Sequence, residues 1–186
     1  MSKFEDGKYS QLTEPVSFKT VALNAATLPA EDQKAVAAFS SKLAGFVRVV
    51  DGTDQYRREL VNRVRYLKAA VLLTPNAPLD VATQLAALDK RLNAVNVPLN
   101  GDAARARREF ETSPSVNGRL GSIMFQVWNS TSGIPGDYTT SYNIAEKQFA
   151  PIYAEIKSIG EEVKKIEATM EKSGAPYTPG RLPEWK

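Results

Sequence analysis

Apolar residues recur at alternating spacings of three and four along the C-terminal part of the chain, from residue 138 to residue 172. An unbroken stripe of this kind predicts one long helix with a single buried face. Pro151 lies inside the stripe, and we expect it to kink the helix without ending it, because its ring removes one hydrogen bond. The stripe consists of Tyr142, Ala145, Phe149, Ile152, Ile156, Ile159, Val163, Ile166 and Met170.

A matching stripe nearer the N-terminus predicts a second long helix. It should begin near residue 28, with Thr27 as its cap and Pro29 in its first turn, and end at Thr74. The phase of the stripe continues across Gly52, so we expect one continuous helix on the order of 65 Å long. The stripe consists of Val36, Phe39, Leu43, Phe46, Val50, Thr53, Arg57, Leu60, Val64, Leu67 and Val71.

Two shorter helices are predicted between the long ones. The first spans about residues 78–97 and follows a proline-rich turn, so it should run antiparallel to the helix before it. The second spans about residues 115–128, after a charged connection over residues 100–114 that suits an exposed loop. The sequence therefore predicts an all-α fold over residues 24–174. We expect an antiparallel four-helix bundle whose first and last helices are long.

The two ends of the chain differ from this helical region. Residues 7–10 and 16–21 alternate as strands do, and we expect them to form a short β-hairpin within residues 1–23. A two-stranded hairpin is marginal in water, so it either packs on the helices or is the remnant of a preceding β domain, which we favour. The extended tail, residues 175–186, should dock through Tyr177, Leu182 and Trp185, since aromatic side chains bury much area.

Composition excludes much familiar chemistry. The 186 residues include no histidine and no cysteine, which removes histidine bases, thiol nucleophiles and the usual ligands of zinc and copper. A packed bundle should also leave no cleft in which two carboxylates face each other. We therefore expect no enzyme activity, no metal and no cofactor. No apolar run is long enough for a membrane span, and residues 1–10 lack the apolar core of a signal peptide.

Basic residues are the first candidates for a binding role. Arg57 occupies a stripe position and, if buried, needs a carboxylate or carbonyl partner from a facing helix. It could line a ligand site, but a polar layer in the bundle is the favoured interpretation. Arg105, Arg107 and Arg108 could form a phosphate-binding face together with residues of the first helix, although no nucleic-acid motif accompanies them, so a solvated face is favoured. The first-helix members of that face are Arg57, Arg58, Arg63, Arg65 and Lys68.

Acidic and hydroxyl groups of the last two helices are the remaining candidates. Glu161, Glu162, Glu167 and Glu171 lie among lysines on the last helix and are expected to be solvated. The segment from Trp128 and Asn129 to residue 132 could bind a ligand through its amide and hydroxyls. Capping of a helix end is the favoured role for that segment.

Several segments together resemble the C-terminal region of large exported bacterial proteins described as sortilin-like or sialidase-like glycosyl hydrolases. In that family a β-propeller with BNR-type repeats is followed by a small β-rich segment and a helical region with a proline-glycine-tryptophan tail. The resemblance covers almost the whole chain and is most specific in the tail. The segments that carry it are residues 7–9, 15–18, 74–78, 128–132 and 174–185.

The resemblance implies a non-catalytic accessory or protein-interaction domain of a longer protein, exported to the periplasm, the cell surface or the medium. Its partner would be the β-propeller domain or another protein, and the propeller that would carry any hydrolase activity is not in this chain. The alternative is a free-standing helical adaptor that binds an acidic partner or nucleic acid through its arginines. The candidate interaction residues are Arg57, Arg105, Arg107, Arg108, Trp128, Asn129, Tyr177 and Trp185.

Overall fold

The computed structural model describes residues 1–21, Leu28, residues 30–183 and Trp185, and it confirms the predicted all-α class. In the described part a two-stranded hairpin precedes the helices, of which the third is a single turn. The strands are β1 (Ser2–Glu5) and β2 (Lys8–Gln11). The helices are α1 (Gln33–Leu72), α2 (Val81–Asn100), α3 (Ala103–Ala106), α4 (Val116–Asn129) and α5 (Gly136–Lys172).

The two long helices lie side by side and run in the same direction. The rings of Phe46 and Phe149 lie 5.4 Å apart, and further along both helices Arg63 is paired with Glu167. Partner positions therefore rise together along α1 and α5, which makes the helices parallel. Both are continuous as expected, α1 across Gly52 and α5 through Pro151.

Helices α2 and α4 follow one another along the same side of α1. The turn over residues 73–80 joins the end of α1 to the start of α2, and Asn100 at the end of α2 donates a hydrogen bond to Asp54 in the middle of α1 (3.0 Å). Beyond the end of α4, the Thr131 carbonyl accepts the N–H of Ala30 (3.0 Å), just before α1. The expected antiparallel four-helix arrangement is therefore not confirmed, since α1 and α5 are parallel and α2 and α4 share one antiparallel path.

Helix α1 begins at Gln33, later than expected. Asp32 caps it, because its carboxylate accepts the backbone N–H groups of Lys34 and Ala35, both at 2.9 Å. The expected cap, Thr27, and the expected first-turn residue, Pro29, lie outside the described residues. Helix α2 also passes its expected end at residue 97 and includes Pro98.

Most of the predicted stripe residues form the core, whereas Val36, Phe39, Phe46, Arg57 and Val71 are only partly buried. Ile159 and Val163 are fully buried, whereas Lys164 and Lys165 are exposed, so the helical phase predicted for α5 is confirmed. Helices α2 and α4 contribute a row of aliphatic residues that fills the space between α1 and α5. These residues are Val81, Leu85, Leu88, Leu92, Val95, Leu99, Val116, Leu120 and Ile123.

The hairpin forms from other residues than those expected. Residues 2–5 pair with residues 8–11, so that Phe4 faces Tyr9, and the turn at Asp6-Gly7 has positive φ at both residues (51° and 76°). Residues 16–21 form no strand, so the expected pairing of residues 7–10 with 16–21 is wrong, because a shorter loop closes the hairpin first. Every residue from 1 to 21 is exposed, and in the described part neither strand lies against a helix.

Candidate interaction surfaces

Arg181 holds the C-terminal tail onto the bundle. Its guanidinium is buried, forms an ion pair with Glu171 at the end of α5, and donates hydrogen bonds to the carbonyls of Ala175 (3.0 Å) and Pro176. Thr178, which is also buried, forms a short antiparallel bridge with Arg181. One side chain thus fixes the loop over residues 175–181 through charge-assisted hydrogen bonds.

Two glycines let the chain turn back at this point. Gly174 ends the last turn after α5 with φ 74°, and Gly180 has φ 91°, a conformation that side-chain-bearing residues rarely adopt. Gly180 also lies directly against Arg63, because a Cβ at this position would be 3.1 Å from Arg63 Nε. The tail therefore packs on a side chain of α1 as well as on the end of α5.

Arg63 and Glu167 form a buried ion pair between α1 and α5. Arg63 donates to Glu167 from Nε (2.8 Å) and from Nη2 (2.5 Å), and the two residues are only 8% and 6% exposed. The hydrogen bond to Glu167 raises the pKa of Arg63 above its ordinary value. The expectations that Glu167 is solvated and that Arg63 belongs to a basic surface are therefore wrong. Each side chain provides the opposite charge and the hydrogen-bond partners that the other needs at the buried contact between α1 and α5.

The aromatic side chains of the tail point away from the bundle. Tyr177 is 64% exposed, Leu182 is 88% exposed and Trp185 is 99% exposed. The prediction that these residues dock the tail is wrong, because the hydrogen bonds of Arg181 and the burial of Thr178 fix the loop instead. The loop over residues 175–181 is thus fixed by hydrogen bonds, while the large apolar side chains in it and beyond it are exposed.

A polar layer crosses the middle of the bundle around Asp54. This buried carboxylate accepts hydrogen bonds from Arg57 (2.8 Å), from Arg58 (2.5 Å) and from Asn100 on α2 (3.0 Å). Burial raises the pKa of Asp54, but the hydrogen bonds from Asn100 and the two arginines outweigh burial, so the pKa lies below its ordinary value. Arg57 therefore finds its carboxylate on its own helix and not on a facing one. The arrangement agrees with the favoured polar layer.

A third interhelical polar cluster, centred on Arg91, was not predicted from the sequence. Arg91, on α2, donates to Glu155 (2.6 Å) and to Glu162 (2.8 Å), which lie two turns apart on α5. The hydrogen bond from Arg91 lowers the pKa of Glu155. The available signal was the position of Arg91 beside the stripe residue Leu92, with acidic residues at a spacing of seven on α5.

The three arginines of the connection between α2 and α4 are exposed. Arg105 lies in α3, whose first N–H groups are capped by Asp102, and Arg107 and Arg108 follow it directly. Arg57, which was expected to share their face, is instead half-buried and paired with Asp54. The exposed basic surface is thus smaller than the sequence suggested.

The polar groups at the end of α4 and just after it form hydrogen bonds within their own segment. Trp128 is exposed, and the Asn129 amide donates to the carbonyl of Phe125 one turn earlier (2.6 Å). The hydroxyls of Ser130 and Ser132 lie 2.7 Å apart. These contacts agree with the favoured interpretation of this segment as the end of a helix.

A groove of about 980 Å³ opens between α2, the connection to α4, and α5. Glu111 and Glu155 are among its lining residues, beside Pro98 and Pro151, so the packed bundle does contain a groove. The expectation that no cleft holds two carboxylates facing each other stays a prediction. The two prolines cannot donate backbone hydrogen bonds within their helices. However, Arg91 lowers the pKa of Glu155, whereas a general acid in glycoside hydrolysis needs a raised pKa.

Comparison of the chain with models of known protein families, with curated proteins and with solved structures found no match. The resemblance to the sortilin-like and sialidase-like proteins therefore stays a prediction. Among the described residues, no group of three or more acidic side chains could hold a metal ion. None of the helices described is both long enough and apolar enough to cross a membrane.

Proposed function

We propose that the chain is a non-catalytic protein-interaction domain of a larger exported protein that carries a β-propeller. The observation that carries this proposal is the tail, in which Arg181 fixes the loop over residues 175–181 while Tyr177 in that loop and Trp185 beyond it are exposed. Tryptophan and tyrosine dominate the energetics of many protein interfaces, and a segment that is already ordered loses little entropy when it binds. The loop over residues 175–181, with the exposed ring of Tyr177, therefore has the properties of a preformed recognition element, and Trp185 adds an exposed aromatic side chain beyond that loop.

The state of the carboxylates supports the non-catalytic part of the proposal. Asp54 and Glu155 each accept hydrogen bonds from an arginine, and this pairing lowers the pKa of both carboxyl groups, which favours the ionised form over the proton-donating one. A screen of the purified chain against chromogenic glycosides and esters, with Glu111→Gln and Glu155→Gln as controls, tests this directly. We expect no turnover. Turnover that disappears in either variant would overturn the proposal and assign the groove as an active site.

Fluorescence titration tests the interaction itself. The β-propeller domain encoded in the same or a neighbouring reading frame is added to the Trp128→Phe variant, in which Trp185 is the only tryptophan. We expect a blue shift of the emission on binding, because an almost fully exposed indole becomes buried. Trp185→Ala should weaken binding at least tenfold, whereas Trp128→Ala, at the opposite end of the bundle, should leave it unchanged. Equal affinities for these two variants would refute the role of the tail.

The exposed arginines support a second candidate function, in which the chain is an adaptor for an acidic partner or a nucleic acid. Arg105, Arg107 and Arg108 are adjacent and free of the buried ion pairs that occupy Arg57 and Arg63. Titration with a DNA duplex at several salt concentrations tests this function, because phosphate contacts give a steep salt dependence. Binding that is lost when the three arginines are replaced by serine would favour the adaptor over the interaction domain.

A further inference from the structure

A groove of about 420 Å³ lies between α1 and α5, apart from the interaction surfaces described above. Pockets that hold small ligands have volumes of roughly 300–1,000 Å³, so the groove is large enough for one. Two rows of residues bound it, each with the spacing of four that places side chains along one line of a helix. The rows are Arg48, Gly52 and Tyr56 on α1, and Tyr153, Lys157 and Glu161 on α5.

Gly52, in the middle of the α1 row, is not explained by packing. No atom of a packed neighbour lies within 4 Å of the place where its Cβ would be. A glycine inside a helix is less stable than an alanine would be. The open groove gives a reason for this residue, because a larger side chain would take up part of that space. Residues that lower stability without a packing reason are typical of functional sites.

The groove carries a positive charge that the protein itself does not neutralise. Arg48 and Lys157 are both exposed, and neither forms an ion pair with any residue that the structure describes. The acidic residue of the groove, Glu161, is paired with Lys164 on the same helix (3.3 Å). The two cations are therefore available to an anionic ligand.

The register of the two long helices places these cations on either side of Gly52. The ring and ion-pair contacts between α1 and α5 bring each α5 residue level with an α1 residue numbered 103 or 104 lower. Lys157 is therefore level with positions 53 and 54 of α1, about 8 Å along the helix axis from Arg48. Gly52 falls between these two levels. One anionic group above Gly52 is thus within reach of both long side chains.

The apolar side chains beside the cations favour a flat, aromatic ligand body. The Tyr153 side chain is 47% exposed, and its ring lies 5.8 Å from that of Phe149, which holds it at the groove. Val49 is 37% exposed on the opposite side. A second aromatic ring gains from offset stacking on an exposed tyrosine. The absence of a side chain at Gly52 leaves room for that ring.

Charge and size argue against a macromolecule in the groove. In a two-fold contact with a second copy the same surface meets itself, so the unpaired cations of both copies would face and repel each other. A standard protein interface buries about 800 Å² on each side. Val49 and Tyr153 supply the exposed apolar surface among the described lining residues, which is far less than that.

We propose that this groove binds a planar aromatic acid. The carboxylate lies between Arg48 and Lys157, and the ring lies against Tyr153 and above Gly52. The proposal goes beyond the proposed function and does not depend on it, since no partner protein takes part in the binding.

Calorimetric titration of the full chain with naphthalene-2-carboxylate tests the proposal. Its uncharged amide, naphthalene-2-carboxamide, is the matched ligand, and we expect the acid to bind at least tenfold more tightly and to weaken as salt is added. Arg48→Gln and Lys157→Gln should each lower the affinity for the acid at least fivefold. Lys147→Gln makes the same charge change at an exposed position of α5 outside the groove, and it should leave the affinity unchanged.

A groove-filling variant separates binding from folding. Gly52→Leu should abolish binding of the acid while its melting temperature is no lower than that of the parent, because leucine is a better helix former than glycine. The proposal is overturned if the acid does not bind at millimolar concentration, or if acid and amide bind equally. It is also overturned if Gly52→Leu still binds, or if Lys147→Gln weakens binding as much as the groove variants. None of these outcomes affects the proposed interaction domain, which is tested through Trp185.

Discussion

Replacing Glu167 with alanine should lower the free energy of unfolding by about 3 kcal/mol. The change leaves the guanidinium of Arg63, a residue that is 8% exposed, without the carboxylate that accepts two of its hydrogen bonds. Breaking a buried ion pair typically costs about 3–5 kcal/mol, mostly because the remaining charge is uncompensated. We expect the lower end of this range, since Glu59 on the same helix stays 3.4 Å from Arg63 Nη1.

Two further variants show whether the cost comes from the uncompensated charge. The double replacement Arg63→Met with Glu167→Leu removes both charges and keeps the volume filled, so it should be within about 1 kcal/mol of the parent. Lys164→Ala breaks the exposed pair with Glu161 (3.3 Å) on the same helix and should cost no more than about 0.5 kcal/mol. A large cost for Glu167→Ala together with small costs for the double variant and for Lys164→Ala would show that the loss of stability comes from leaving a buried charge without its partner.

Urea titration followed by circular dichroism measures these differences. For Glu167→Ala we expect a lower midpoint with an unchanged slope, and a melting temperature lower by roughly 6–12 °C, given about 2–4 °C per kcal/mol for a domain of this size. A loss below about 1 kcal/mol would show that Arg63 regains solvent at little cost. The reasoning from burial would then be refuted.

Three further predictions test other parts of the structure. Ile159→Ala should cost about 2–5 kcal/mol and Lys165→Ala less than roughly 0.5, and equal denaturant midpoints would contradict the helical phase. Gly160→Ala should cost about 1–3 kcal/mol because the added methyl group overlaps the Tyr56 hydroxyl, and adding Tyr56→Phe should recover part of the loss in the same titration. Burial raises the pKa of Asp54, but its hydrogen bonds lower the pKa more, so the folded pKa lies below the unfolded value of about 3.9. The ionised Asp54 therefore contributes fully to the free energy of unfolding above a pH of about 3.9, and this contribution is lost as the pH falls through the folded pKa. Acid titration of Asp54→Asn should therefore show a shallower loss of stability over that range, and a curve identical to that of the parent would count against the shift.

The long helices could be predicted because a buried stripe is a local property of the sequence. The spacing of three and four continues past Gly52 and past Pro151, and both helices do the same. Their relative direction could not be predicted in this way. It depends on α2 and α4 following one another along one side of α1, which is a matter of how the connections cross the bundle.

The buried ion pair shows a second limit of reasoning from one helix at a time. Glu167 follows the stripe residue Ile166, so on its own helix it falls at the border of the buried face, where a solvated side chain is the usual outcome. Its partner Arg63 lies 104 residues earlier, directly before the stripe residue Val64. Only an alignment of the two stripes in parallel brings these two border positions together.

At both ends of the chain the type of structure was predicted, but the residues that form it were not. A hairpin and an attached tail both occur, yet Lys8–Gln11 pairs with Ser2–Glu5 and not with residues 16–21. The tail is attached by Arg181, whose five donors can serve several carbonyls at once, and not by Tyr177 or Trp185. The apolar residues of the tail predicted that the tail attaches to the bundle. The buried residues, however, are Thr178 and Arg181, which form hydrogen bonds there.

The parallel pairing of α1 with α5 also has a consequence for synthesis on the ribosome. The partner of Arg63, Glu167, is synthesised 104 residues later. At a translation rate of about 5–20 residues per second, the interval between the two is about 5 to 20 s. During that interval α1 can pack only on α2 and then α4, so a 40-residue helix keeps one apolar side open to water. The nascent chain is therefore most vulnerable to aggregation and to chaperone capture just before α5 emerges, and a variant that slows translation within α5 should lower the soluble yield without changing the stability of the finished protein.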